Sequence, residues 1–406
     1  MTHPRPAYGT DHARVCLYPL TFVDEGDQVI IGRPDIDSFA VFPADAAAVV
    51  RRLRTGEDAD SVAAWYQAAY GEPADINDFV DTLRDLGFIR PDAEYPAEIP
   101  AQPSVRWRRL GVTVLSTPAL TLYALAVGVA VYFMVAVPAL RPAPSKVFFS
   151  SSLLVVMGAT AAAQLVGIAW HEGFHVLAGR RLGLASRISI GRRLYFVVFQ
   201  TTLVGLMGIP SRKRILPFLA GLIADAILIS VLTVLAEIGR LADWPSWTGR
   251  VAVALVYVTI LRMLWQAMIF METDLYHVLA SAVRCPDLHQ MTRIYLRNEL
   301  ARVRGRTALA TTEPSWTARE LRAVRWYAPF VVFGGITMIV LVAVTAIPVL
   351  AGLAIRALHG VATGSFASRS FWDSLVAGTA IVSQFAVVTV LAFRDRRRSL
   401  IAPASD

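Results

Sequence analysis

Residues 152–170 read Ser-Leu-Leu-Val-Val-Met-Gly-Ala-Thr-Ala-Ala-Ala-Gln-Leu-Val-Gly-Ile-Ala-Trp, without one charged side chain. A run this long and apolar is a membrane-spanning helix. It passes directly into His171-Glu172-Gly173-Phe174-His175, an HExxH pattern. On a helix His171 and His175 lie one turn apart on one face, so both imidazoles reach one metal ion. Zn²⁺ favours neutral imidazole nitrogen, and a catalytic zinc keeps one position open for water. Glu172 stands beside the pair and can take a proton from that water, an arrangement suited to hydrolysis of a peptide bond. Ionisable residues in a span are costly and mark function.

The rest of the chain agrees with a membrane setting. Of 406 residues 55% are hydrophobic, and the mean hydropathy is +0.51. These values exclude an ordinary soluble enzyme. Residues 1–14 are polar, with Pro4 and Pro6 and no apolar core of a signal peptide, so the N-terminus is expected in the cytosol. The formal charge of +8 is uneven. The first hundred residues are acidic, with Asp24, Glu25, Asp27, Asp35 and Asp37 among others, and the remainder is basic. The basic clusters sit between apolar runs, so they orient the chain in the bilayer and do not form a nucleic-acid surface. Cys16 and Cys285 both fall on the cytosolic side and are expected as free thiols.

The N-terminal region reads as a small α/β domain over residues 1–91. Strands are expected at 16–22, 28–32 and 38–42, with a turn at Asp24-Glu25-Gly26-Asp27. A helix opens at Pro43, carries Ala47, Val49, Val50 and Leu53, and closes at Thr55-Gly56. Two more are expected near 60–69 and from 76 to Gly87, and Phe88-Ile89 can return as a strand. The pattern is winged-helix-like. It resembles the PqqD-like fold through Val29-Ile30-Ile31-Gly32-Arg33, residues 39–43, Leu53 with Gly56, and residues 79–89. That resemblance implies capture of a leader peptide, added as a strand at the sheet edge. A domain that only orders or dimerises the membrane part is the other reading. Residues 92–105, rich in Pro, Ala and Glu, form a linker.

Six spans are expected: 118–137, 148 through the HExxH motif, 215–236, 251–271, 326–350 and 371–393. Arg106, Arg108 and Arg109, then Arg212-Lys213-Arg214, then Arg394 and Arg396-Arg397-Arg398 place both termini in the cytosol, while Trp244, Trp247 and Trp372 suit the opposite interface. The fold class is thus a multi-pass α-helical membrane protein with a small cytosolic α/β head. The membrane core is 106–283, a cytosolic segment follows at 284–325, and 326–406 holds the last two spans and a basic tail. Gln164, Gln266 and Gln384 are expected to bond between helices. His277 and His289 are read as structural or solvated, residues 293–306 as a basic helix or loop, and 307–315 as a flexible link.

Between the second and third spans, 186–202 is rich in β-branched and aromatic residues and predicts a hairpin turning at Gly191-Arg192. Backbone of this kind survives at membrane depth only where protein covers it or water lines it, and an edge facing a cavity can pair with an unfolded strand. The order is HExxH, apolar hairpin, basic entry to the next span, then a later acidic motif. It resembles the site-2-protease family of intramembrane zinc metallopeptidases over residues 110–288. Ala220-Gly221-Leu222-Ile223-Ala224-Asp225 resembles that family's Ala-Gly-Pro-x-x-Asn. Glu272-Thr273-Asp274-Leu275-Tyr276 and the residues to Leu279 resemble its Asp-Gly-Tyr-x-x-Leu. The resemblance implies Zn²⁺ held by His171, His175 and Asp274, with Glu172 as general base and Asp225 at the asparagine that stabilises the oxyanion. A protonated Asp225 can donate that bond, since burial raises a carboxyl pKa, whereas an ionised one cannot. Leu275, Leu222 and Asp225 replace the family's glycine, proline and asparagine, and Glu272 stays open as an alternative ligand. The expected partners are a peptide or protein substrate and the bilayer, with no nucleic acid. Leader removal from a modified peptide, cleavage of a membrane-anchored signalling protein such as an anti-sigma factor, and a non-catalytic scaffold with a vestigial metal site are the readings this leaves.

Overall fold

The computed structural model describes residues 15–90, 105–193, 196–305 and 316–401. In chain order the elements are β1 (Thr21–Asp24), β2 (Gln28–Arg33), β3 (Ser38–Pro43), α1 (Ala44–Arg54), α2 (Ala59–Tyr70), α3 (Ile76–Asp85), α4 (Arg108–Val114), α5 (Thr117–Ala136), α6 (Leu153–Arg181), β4 (Ser186–Arg193), β5 (Phe196–Leu203), α7 (Ser211–Leu241), α8 (Ser246–Gln266), α9 (Asp274–Ala282), α10 (Leu288–Val303), α11 (Ala318–Thr363) and α12 (Arg369–Ile401). The chain divides into two compact units. One comprises the N-terminal region to Arg106 with Gly183–Ala185 and Leu203–Arg214; the other comprises Trp107–Leu182, Ser186–Thr202 and Ile215–Asp406.

In the first unit β1, β2 and β3 form an antiparallel sheet in sequence order. Alternation along the strands gives the sheet two faces. Val29, Ile31 and Phe42 on one face pack with Ala47, Val50 and Leu53 of α1, Val62 of α2, and Val80 and Leu83 of α3. Asp58 caps α2 by accepting from the Ser61 amide at 2.8 Å, and Asp75 caps α3 by accepting from the Asn77 and Asp78 amides. The register puts Thr21, Val23, Ile30, Gly32 and Phe39 on the opposite face. That face is covered as well, with Val23 and Ile30 buried. Gly208 lies against it, close to the Phe39 ring and the Thr21 hydroxyl.

Glu25, in the β1–β2 turn, ties the same two parts together. Its carboxylate accepts from the Ser211 amide at 2.7 Å and the Ser211 hydroxyl at 2.6 Å, and pairs with Arg214 at 3.4 Å. It therefore caps the first turn of α7, where free amides favour an anion. The Gly205 amide donates to Asp37 at 2.7 Å.

The first expected strand is corrected. β1 begins only at Thr21, because Pro19 has no amide hydrogen for a ladder. Residues 16–18 pair instead with the returning segment: Leu17 bridges Ile89, the Tyr18 amide donates to the Phe88 carbonyl and the Arg90 amide to that of Cys16. The expected linker 92–105, apart from residue 105, lies outside the described residues.

In the second unit, five helices among the described residues are long and apolar enough to cross a membrane: α5, α6, α7, α8 and α11. They overlap the first five expected spans, although α8 ends at Gln266, short of the expected 271. The sixth expected span falls within α12, which is not among those five. With this composition the chain is a multi-pass membrane protein. At 46 residues α11 is about 69 Å long, over twice the hydrocarbon thickness, so the span expected at 326–350 is only its middle. β4 and β5 pair as a hairpin. β4 runs on through Gly191 and Arg192, so the turn expected there is strand; a lone glycine in a strand pattern marks a bulge or close approach as readily as a turn. Residues 194–195, which join the strands, lie outside the described residues, as does the link expected at 307–315. The basic stretch from 293 is helical as α10 as far as Val303. Among the described residues both cysteines are free. Burial pushes the Cys285 thiol up to about 12, so it is an inert apolar side chain at neutral pH.

Candidate metal centre

α6 carries both motif histidines into the protein. Ser152 caps it and Asp373 accepts from the Leu153 and Leu154 amides, which fixes its start. At 1.5 Å per residue His171 lies about 27 Å further along, near the far edge of a hydrocarbon core. Phe174 and Ala178, on the same side of the helix, pack with Leu115, Ala220 and Ala224. Trp170 Nε1 donates to the Ala224 carbonyl at 2.9 Å, which locks α6 to α7.

Asp274 arrives from α9. Thr273, fully buried, donates its hydroxyl to the Gln266 carbonyl at 2.7 Å, and the Asp274 amide donates to Gln266 Oε1 at 3.2 Å. The end of α8 thus clamps the turn that presents the carboxylate. Glu272 precedes it at φ 54°, a left-handed conformation uncommon outside glycine. Its side chain is exposed, so the structure brings Asp274 and not Glu272 to the histidines.

His171 Nε2 and His175 Nε2 are 3.2 Å apart, and Asp274 Oδ2 lies 3.1 Å from the first and 3.2 Å from the second. The outer ring nitrogens fix the tautomers. His175 Nδ1 is 2.8 Å from the Pro217 carbonyl, which can only accept, so Nδ1 carries the proton. His171 Nδ1 is 3.1 Å from Asp225 Oδ2 and donates likewise. In the neutral rings that bind a metal, both Nε2 atoms then present lone pairs, and with the carboxylate oxygen they make three donor atoms converging on one point. Bonds of 2.0–2.1 Å in a tetrahedron place ligand atoms about 3.3–3.4 Å apart, close to the three separations seen. Gly221 borders the same point: a Cβ there would stand 2.2 Å from His171 Nε2 and 2.5 Å from His175 Nε2. Two imidazoles and one carboxylate suit a divalent ion such as zinc.

Asp225 does not face this point. It is fully buried, and its oxygens engage Arg262 Nη2 at 2.5 Å, Arg262 Nε at 3.2 Å and His171 Nδ1. With both oxygens taken up by Arg262 and His171, Asp225 is not placed to donate to an oxyanion at this point. It sits behind His171 and orients the ring. Glu172 is half-buried, and among the described residues its carboxylate has no hydrogen-bond partner. Its backbone carbonyl lies 3.5 Å from the Thr201 hydroxyl of β5, beside the motif.

The other polar groups divide. Gln164 and Gln266 bond between elements as expected, whereas Gln384 is exposed on α12. His277 stacks on Phe218, and His289 approaches the Tyr327 hydroxyl at 3.3 Å. Sequence reasoning passed over Arg262, Pro217 and Gly167. Arg262 carried a usable signal, a cation inside an apolar span. No protein-family model, no curated protein and no solved structure matches this chain.

Proposed function

We propose that the chain is an intramembrane zinc metallopeptidase similar to the site-2 proteases, acting on a peptide or membrane-associated protein near the cytosolic face, with both termini in the cytosol. The observation that supports it is the convergence of two Nε2 lone pairs and Asp274 Oδ2 beside Glu172. His171, His175 and Asp274 would hold the ion, which supplies Lewis acidity toward the scissile carbonyl. Asp225 and the Pro217 carbonyl keep both imidazoles in the tautomer that leaves Nε2 free. Glu172 takes one proton from the attacking water and returns it to the leaving amine, so that a peptide bond and a water become a carboxylate and an amine. The head, similar to a PqqD-like domain, would hold an extended leader by strand addition, which makes precursor maturation the favoured biology.

The test uses the full-length protein purified in detergent. We expect about one zinc per chain, lost in the His171→Ala/His175→Ala variant. Glu172→Gln keeps the metal but cleaves unfolded casein at a rate reduced by a factor of about 100 or more, because the amide cannot take the proton. Equal zinc in wild type and the double variant would overturn the metal centre. Undiminished cleavage by Glu172→Gln would remove Glu172 as the base.

A further inference from the structure

We propose that Arg262 is a positioning residue of the metal centre, acting on His171 through Asp225. The inference rests on the metal-centre reading above and deepens it.

Three helices meet in this arrangement: His171 comes from α6, Asp225 from α7 and Arg262 from α8. Arg262 grips both Asp225 oxygens, so the carboxylate cannot rotate about its axis and Oδ2 stays 3.1 Å from His171 Nδ1. Arg262 is itself fixed by Nη1 donating to Gln164 Oε1 at 2.7 Å, while Gln164 Nε2 reaches the Val258 carbonyl at 3.4 Å. Space for the guanidinium is made on α6, one turn before His171. A Cβ at Gly167 would stand 2.5 Å from Arg262 Nη1. A fully buried carboxylate is held in place by its paired cation, and without the guanidinium it would reorganise. That change releases the Nδ1–H of His171 and frees the ring to swing Nε2 away from His175 and Asp274. The chain thus uses a charged pair where the site-2-protease motif it resembles has a neutral asparagine.

The experiment measures Zn²⁺ affinity by competition with a chelator, together with the visible spectrum of the Co²⁺-loaded protein, for full-length wild type, Arg262→Gln, Asp225→Asn and the double variant. Removal of an outer partner of a metal-bound histidine weakens metal binding about 10–100-fold, and that loss is expected for Arg262→Gln with an altered Co²⁺ spectrum. On the Asp225→Asn background the same substitution should change affinity by less than about twofold, since the arginine then has no carboxylate to hold. Gly167→Ala should shift the Co²⁺ spectrum by displacing the guanidinium, whereas Gly158→Ala on the same helix, with nothing within 4 Å, should not. Additive losses in the cycle, or wild-type affinity in Arg262→Gln, overturn the proposal and leave the metal centre standing. A lowered resistance to unfolding with unchanged metal affinity would make Arg262 a strut between helices only. Failure of the wild-type protein to bind either metal overturns the metal centre and this inference together.

Discussion

Gly173 lies within the motif and Gly221 packs against it, yet their substitutions should have opposite results. A methyl group at Gly221 enters the space between His171 Nε2 and His175 Nε2, whereas one at Gly173 meets nothing within 4 Å. Gly221→Ala should therefore lower Zn²⁺ affinity at least about 100-fold, while Gly173→Ala should leave it within about twofold; chelator competition on the purified chain reads both. Equal affinities would mean that the backbone of α7 does not wall the site. Residues that form the site differ in how legible they were. His171 and His175 announce themselves by helical spacing. Asp274 is one of two nearby carboxylates; the motif register favoured it over Glu272, and the structure, with Glu272 in a left-handed turn, groups Asp274 with the histidines. Asp225 was noticed, but its pairing with Arg262, 37 positions away, follows from no local pattern.

Elements were legible where a local signal dictates them. The starts of α2 and α3, expected near 60 and 76, lie there, where Asp58 and Asp75 cap them, and uninterrupted apolar runs mark the spans. The length of α11 was not visible because its first turns carry Arg319, Glu320, Arg322 and Arg325 and its last turns are interrupted by Arg356 and His359. The late start of β1 was visible in principle through Pro19. In the head the β2–β3 connection offers a test of its own. Arg33 donates to both Asp35 oxygens and to the Gly87 carbonyl at 2.6 Å, and its guanidinium lies 3.5 Å from the centre of the Tyr18 ring. The hydrogen bond from Arg33 holds the Asp35 carboxyl below the usual carboxylate range, against a smaller opposing effect of burial. A folded-state value below the unfolded one contributes stability above the unfolded value near pH 4 and loses it as pH falls through the folded value. Asp35 is 60% exposed, so the contribution is small. Asp35→Asn should lower the stability of the head by about 0.5 kcal/mol at pH 7, with the gap closing below pH ~4, as read from amide exchange of β2 across that range.

At the scale of the whole molecule, the first unit is discontinuous in sequence. Its buried pair of Glu25 and Arg214 should make the two parts depend on each other. Glu25→Ala leaves Arg214 buried among backbone carbonyls without its counter-charge and removes the cap from Ser211. The cost should be about 3 kcal/mol, at the low end for a broken buried pair because those carbonyls remain. Amide exchange at Ser211 should accelerate roughly 100-fold, while Glu57→Ala, which breaks an exposed pair with Arg52, should leave it unchanged. The same contact has a consequence for biosynthesis. Glu25 and Ser211 are 186 residues apart. At 5–20 residues per second the ribosome needs about 10–40 s to deliver the second after the first. The cluster from Val29 to Phe88 lies wholly within the earlier part and can condense at once, but the sheet face bearing Val23, Ile30 and Phe39 must wait for Gly208. For that interval each newborn chain presents an uncovered apolar β-face, and a chaperone or a neighbouring ribosome's product has first access to it.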